Sequence, residues 1–178
     1  TTEIYTLSLH DALPIYFSPM ANTVYDYKLQ HIDGSELDLS AYKGKKILLV
    51  NTASQCGLTP QYAQLQELHE SMKDKVQIIG LPCNDFGAQE PEAEDKISYF
   101  CEVNYHITFP LTKKIKVLGD DKHPLYKYLT EKSMNGLEDS EVKWNFQKYL
   151  VDENGHLQKV ISPMVEPMSE EVISEIEK

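Results

Sequence analysis

Lys46-Ile47-Leu48-Leu49-Val50 leads directly into Asn51-Thr52-Ala53-Ser54-Gln55-Cys56-Gly57-Leu58-Thr59-Pro60-Gln61-Tyr62. Ile47 to Val50 is a continuous apolar run, too short for a helix, and reads as a buried strand. Thr59 or Ser54 is suited to cap a following helix, with Pro60 at its first position. Leu65, Leu68 and Met72 then recur at helical spacing, which carries that helix to about Lys73. Cys56 therefore sits in a loop that leaves a strand and enters a helix N-terminus. Unpaired backbone N–H groups and the helix dipole favour an anion there, so a thiol is biased toward thiolate, its reactive form.

That bias alone is too small. A free thiol is only a few per cent ionised at pH 7, and half-ionisation takes about 2 kcal/mol. A helix terminus contributes ~0.3–1 kcal/mol. Further hydrogen-bond donors must reach the sulfur if Cys56 is a nucleophile. Taken alone, a single cysteine is as often a buried structural residue.

Working outward, Val76-Gln77-Ile78-Ile79-Gly80-Leu81 is a second buried strand, ended by Pro82. A polar loop from Cys83 to Pro91 leads into a helix over about 93–104. Upstream, Val24 to Gln30 reads as a strand that turns at Asp33-Gly34 and pairs back through Glu36-Leu37-Asp38-Leu39 as a hairpin. Downstream, His123-Pro124 starts a helix and residues 133–142 read as a loop. The runs 146–151 and 156–161 form a hairpin around Asp152-Glu153-Asn154-Gly155, and 168–178 is an acidic amphipathic helix. A β-α-β unit followed by a hairpin and a terminal helix predicts an α/β fold, a mixed sheet with helices on both faces. In such sheets sites form at the C-terminal ends of strands, where both the Cys56 loop and the 83–91 loop emerge.

At 178 residues the chain is expected to form one domain over 21–178. Residues 1–20 do not fit the pattern and are expected to lie outside it. They lack basic residues and a continuous apolar core, so they make a poor signal peptide, and no stretch is long and apolar enough to span a bilayer. A cytoplasmic location is expected. Net charge is −11 and every basic residue is Lys. That argues against nucleic acid, and against any site built on a guanidinium fork. Three cysteines do not make a disulfide scaffold. The histidines show no metal spacing, and neither Cys-x-x-Cys nor a Gly-rich phosphate loop occurs. No metal, haem, flavin or nucleotide is expected.

Three segments carry chemistry together: Asn-x-Ala-Ser-x-Cys-Gly-x-Thr at 51–59, Pro-Cys-Asn-x-Phe-Gly-x-Gln-Glu-Pro at 82–91, and Trp-Asn-Phe-x-Lys-Tyr-Leu at 144–150. A lone tryptophan is more often core than catalytic, and a loop Asn or Gln is usually a turn residue. In combination and in this order, the motifs resemble the glutathione peroxidase family from about Val24 onward. The resemblance implies a thioredoxin-like fold and reduction of hydroperoxides, with Cys56 as the peroxidatic residue where some members carry selenocysteine. It implies a catalytic tetrad of Cys56, Gln89, Trp144 and Asn145. Indole and amide N–H groups are the donors a thiolate and a breaking O–O bond need. Asp85 departs from the pattern, standing where many members carry Gln; a carboxylate near the site would raise the thiol pKa, but the expected reading is that it points to solvent or caps the loop.

The segment from Phe100-Cys101-Glu102 to Phe109-Pro110 resembles the one that carries the resolving cysteine of non-selenium members, which are commonly reduced by thioredoxin. Cys101 would then attack the Cys56 sulfenic acid to give an internal disulfide. A disulfide needs Cα atoms within about 7 Å, so the helix that carries Cys101 must unwind locally. Cys83 is expected to be structural. The thiol co-substrate is thioredoxin, or glutathione with Lys replacing the missing Arg. The short segment between Val117 and Trp144 lacks the insertion that resembles the tetramer-forming part of larger members. A monomer or weak dimer is expected, open to hydrogen peroxide and lipid hydroperoxides. The competing reading is a non-catalytic thioredoxin-like redox sensor that relays oxidation to a protein partner.

Overall fold

The computed structural model describes residues 22–178. The expectation for residues 1–20 falls outside them.

The central sheet has the order β4-β3-β5-β6, from β3 (Lys46–Thr52), β4 (Val76–Pro82), β5 (Lys148–Val151) and β6 (Leu157–Ile161). β3 and β4 are parallel, joined through α1 (Gln61–Ser71), while β5 runs antiparallel to β3 and to β6. A small antiparallel hairpin of β1 (Leu29–Gln30) and β2 (Glu36–Leu37) precedes it, turning at Gly34 with φ 91°. β3 is buried along its whole length, as a strand covered on both faces must be.

Period-two alternation sorts the core into two layers. Ile47, Leu49, Ile79, Leu81, Tyr149 and Val151 face α3 (Pro124–Thr130), which buries Leu125, Tyr126, Tyr128 and Leu129. Leu48, Val50, Val76, Ile78 and Leu150 face the other way. They meet Tyr62, Leu65 and Leu68 of α1, Ile97 and Cys101 of α2 (Glu94–Tyr105), and Val172 and Ile176 of α5 (Glu170–Glu177). A mixed sheet with helices on both faces and an N-terminal hairpin is the expected architecture, and its strand order is that of the thioredoxin fold.

Three local expectations are corrected. Val24–Asp26 is a 3-10 turn and not a strand, because Asp26 Oδ2 accepts the Thr23 N–H at 3.0 Å and the Gly155 carbonyl takes the Val24 N–H. Thr59 does not cap α1: its hydroxyl turns back to donate to the Ala53 carbonyl at 2.8 Å. Residues 133–142 are not all loop, since α4 (Lys132–Asn135) occupies their start and Gly136 ends it at φ 75°. His123 caps α3 by accepting the Leu125 N–H at Nδ1.

Candidate active site

Cys56 lies between the end of β3 and the start of α1, at the C-terminal edge of the parallel strand pair. Its loop is fixed from inside. Thr59 Oγ1 accepts the Cys56 N–H at 3.0 Å while donating to Ala53, and the Thr59 N–H closes a turn onto the Cys56 carbonyl. The thiol stays half-buried, and the Leu58 N–H points at Sγ from 3.3 Å. Among the described residues this backbone group is the hydrogen-bond donor that reaches the sulfur.

Two further loops converge on this one. The Gln89 carbonyl accepts the Gln55 N–H at 3.0 Å, which ties the 83–91 loop to the residue before Cys56. The Gln89 side chain accepts from Asn145 Nδ2 at 2.9 Å. Asn51, near the end of β3, holds the third loop twice: its Nδ2 donates to the Trp144 carbonyl and its own carbonyl accepts the Phe146 N–H. Phe146 adopts φ 67°, a left-handed conformation costly for a non-glycine residue, and is held there in full burial. That turn drives Asn145 fully inside, with Oδ1 free of protein partners, and leaves Trp144 39% exposed against Phe86 at a ring separation of 5.5 Å. The amides of Gln89 and Asn145 thus bond each other.

Lys148 braces the same turn. Its ammonium donates to the Phe146 carbonyl at 2.8 Å, to Gln61 Oε1 at 2.7 Å and to the Pro163 carbonyl at 3.2 Å. Burial pulls its pKa down to about 7, and its three N–H bonds find three oxygen acceptors.

Asp85 does not face the Cys56 thiol. Its Oδ2 accepts the N–H groups of Val117 and Leu118 at 2.7 and 3.1 Å, so it pins the segment after residue 115. The sulfur beside it is Cys83, which accepts the Asp85 N–H at 3.4 Å. Burial, opposed by that bond, pushes the Cys83 thiol up to about 12.

Cys101 lies in α2, 1% exposed, and all three cysteines are free thiols. Burial pushes it up to about 11. Its helix is weakly anchored. Ala93 at the N-cap offers no side-chain acceptor, and His106 closes the C-terminus at φ 51° where glycine is usual. Only Ile97 and Cys101 are fully buried on it, while Tyr99 and Val103 are exposed.

Glu90 was not singled out by sequence. A glutamate before Pro91 in a polar loop reads as solvent-facing, yet it is 0% exposed. Its N–H donates to Asn84 Oδ1, its Oε2 accepts from Ser54 Oγ at 3.0 Å, and its Oε1 has no protein partner. Burial raises its pKa to about 6 from an ordinary 4.5, partly offset by the Ser54 bond. The folded state therefore binds this proton more tightly than the unfolded chain. The associated stability is fully present below pH 4.5 and lost as pH rises through about 6. Relative to Glu90→Gln, the wild type should gain about 2 kcal/mol as pH falls from 7.5 to 4, read from urea unfolding at each pH.

A half-buried cysteine in the loop after the central parallel strand of this mixed sheet is the layout of a thioredoxin-like thiol protein. Residues 24–130 match the family model described as Glutathione peroxidase. The hydroperoxy fatty acid reductase gpx1 of Synechocystis is 44% identical, the match covering 88% of this chain and 95% of that protein. The glutathione peroxidase-like peroxiredoxin HYR1 of Saccharomyces cerevisiae is 43% identical, covering 85% and 98%. The crystal structure of Trgpx in its apo form superposes with a TM-score of 0.68 at 36% identity, covering 89% of this chain and 97% of that one. The chain belongs to the glutathione peroxidase family, as a non-selenium thiol peroxidase. Among the described residues no helix is long and apolar enough to cross a membrane, and no cluster of three or more His, Cys, Asp or Glu is placed to hold a metal ion.

Proposed function

We propose that the chain reduces hydrogen peroxide and organic or lipid hydroperoxides through Cys56, resolves the product with Cys101, and is recycled by thioredoxin. The Cys56 thiolate attacks one peroxide oxygen, the O–O bond breaks, and the leaving oxygen takes a proton to become water or an alcohol. Cys56 is left as a sulfenic acid. The Cys101 sulfur then attacks Cys56 Sγ, hydroxide leaves and is protonated to water, and a disulfide forms. A dithiol reductant returns both thiols by exchange.

The observation that carries this reading is a half-buried Cys56 at the meeting of three loops, with the Leu58 N–H on its sulfur and the Gln89–Asn145 pair and Trp144 on the loops around it. Gln89, Trp144 and Asn145 supply donors for the developing charge on oxygen; such contacts commonly tighten only when substrate is bound. Asn145→Ala should slow oxidation of Cys56 by roughly 10²–10³-fold, measured as the second-order rate with hydrogen peroxide. A change below threefold would remove Asn145 from the site.

The resolving step needs α2 to open. Unwinding its last two turns exposes Cys101 and partly buried Phe100 and Tyr105 while Ile97 stays packed. At about 1.5–3 kcal/mol for a fully buried large side chain, this is a local opening of a few kcal/mol and not global unfolding. A cleft of about 360 Å³ lies between α2 and residues 106–111, lined in part by Cys101 and Glu102.

The name of the Synechocystis relative supports fatty acid hydroperoxides as substrates, and that of the yeast relative supports peroxiredoxin-like recycling. The exposed indole of Trp144 fits a site open to bulky peroxides. A monomer or weak dimer acting in the cytoplasm completes the reading. The test is NADPH-coupled peroxide consumption, run with thioredoxin and its reductase and, in parallel, with glutathione and its reductase. Turnover with thioredoxin is the expected result; turnover with glutathione alone would overturn the reductant and the need for Cys101.

A further inference from the structure

Lys148, on β5, is 0% exposed, and the three groups it bonds are all neutral oxygens. Among the described residues no neighbouring carboxylate offsets its burial. It also meets Gln61, the first residue of α1, at the end of a helix whose dipole disfavours a cation. A buried ammonium without a counter-ion is costly, and an apolar side chain in such a place commonly leaves a protein as stable or more so. The charge at position 148 therefore points to a task other than stability.

The contacts of the ammonium name that task. Its acceptors come from three segments: the Phe146 carbonyl from the turn before β5 at 2.8 Å, Gln61 Oε1 from α1 at 2.7 Å, and the Pro163 carbonyl from the loop after β6 at 3.2 Å. An ammonium offers three N–H bonds from one atom, which is what three converging oxygens require. Gln61 Nε2 donates to the same Pro163 carbonyl at 2.8 Å, so the two anchors outside the turn also hold each other. Phe146 is gripped at both of its backbone polar groups, its N–H by the Asn51 carbonyl at 2.6 Å and its carbonyl by the ammonium. These bonds keep it at φ 67°, a conformation that persists only where the surroundings impose it. Asn145 is the residue this turn sends inside, where Nδ2 donates to Gln89 Oε1 at 2.9 Å and Oδ1 has no protein partner. The other end of the clamp reaches the Cys56 loop. The Gln61 N–H donates to the Leu58 carbonyl at 2.9 Å, and the Leu58 N–H points at Cys56 Sγ from 3.3 Å. Lys148 thus ties the segment that carries Asn145 to the turn that carries the thiol.

We propose that Lys148 is a positioning residue for peroxide reduction: its ammonium fixes the Phe146 carbonyl against α1 and so holds the Asn145 amide in register with the Cys56 thiol. The inference rests on Cys56 and Asn145 belonging to the peroxide site. Lys148 bonds no atom of Cys56, Gln89, Trp144 or Asn145 and acts through the turn alone. Without the ammonium the Phe146 carbonyl loses its donor, and the left-handed turn keeps only the Asn51 bond. The turn relaxes, Asn145 leaves its place, and the oxygen departing in O–O cleavage loses a preplaced donor.

Lys148→Met tests this by keeping an unbranched stem and removing the ammonium. Reduced enzyme is mixed with hydrogen peroxide over a series of concentrations, quenched with a thiol-alkylating reagent, and followed by mass. Loss of the free Cys56 thiol gives the oxidation rate, and the plateau of disulfide appearance at high peroxide gives the disulfide-forming rate. In Lys148→Met, oxidation of Cys56 should slow about 10- to 100-fold. Disulfide formation should stay within about threefold of wild type, because no bond of Lys148 reaches α2. In an Asn145→Ala background, adding Lys148→Met should cost less than about twofold further, since the group it places is gone. Gln61→Met cuts the α1 anchor with Lys148 left in place and should slow oxidation about three- to tenfold. That variant decides the matter if Lys148→Met does not fold. Oxidation within about twofold of wild type in Lys148→Met, or in Gln61→Met where it stands in, overturns the inference while leaving Cys56 as the peroxidatic residue. So does the full Lys148→Met loss reappearing on top of Asn145→Ala, or an equal slowing of both steps. Absence of Cys56 oxidation in wild type overturns the peroxidatic assignment itself, and the inference with it.

Discussion

Cys56→Ser should consume peroxide at least about a thousandfold more slowly than wild type in the thioredoxin-coupled assay, with no residual sulfenic acid after stoichiometric oxidant. A serine hydroxyl is a far weaker nucleophile toward peroxide oxygen and cannot form the S–OH intermediate. The fold should survive. The replacement is nearly isosteric, the position is half-buried, and a serine oxygen can still accept the Leu58 N–H that now points at Sγ. The Thr59 and Gln89 bonds that shape the loop use backbone atoms of residues 53, 55 and 56 and do not involve the sulfur. The unfolding free energy should change by less than about 1 kcal/mol. Loss of activity with an unchanged urea midpoint therefore assigns the chemistry to the sulfur. Retained turnover would remove Cys56 from the nucleophile role, whatever the family.

Cys101→Ser separates the two half-reactions. Cys56 should still be oxidised once by an equivalent of peroxide, at a rate within about threefold of wild type, because Cys101 lies in the helix layer and not on the three converging loops. Thioredoxin-supported turnover should then drop by at least about a hundredfold, since no internal disulfide forms for the dithiol to reduce. A small thiol attacking the sulfenic acid directly would bypass the block, so glutathione should restore more activity to this variant than thioredoxin does. Cys83 should not substitute. It is fully buried, its thiol is pushed up to about 12, and it accepts the Asp85 N–H within a loop pinned to Val117 and Leu118. Unchanged cycling would make Cys101 a core residue and return Cys83 to consideration.

The sheet and its two layers were legible in the chain because β3 and β4 are continuous apolar runs, and alternation within them assigns each side chain a face. The site loops were legible because their residue types recur as long motifs. The short N-terminal strand was not, because Val24 to Tyr27 carries strand-forming side chains while Thr23 and Asp26 close a local turn that overrides them. Nor was the wiring of the site. That Asn145 bonds Gln89, and that Asn51 holds both ends of the Trp144–Phe146 turn, depends on which loops meet in space. Lys148 and Glu90 were hidden for a common reason. Charged residues are read as solvent-facing, and only the packed structure reveals three acceptors around the first and a buried, half-partnered carboxylate in the second. The weakness of α2 did have a sequence signal: Ala93 at the N-cap and His106 where glycine would end the helix without strain.

The most direct measurement is a non-reducing peptide map of wild-type protein after one equivalent of hydrogen peroxide, alkylated before digestion. The account predicts a linked pair of peptides containing Cys56 and Cys101, with Cys83 recovered as an alkylated thiol. A link through Cys83, or all three cysteines recovered free after the peroxide has been consumed, would contradict it.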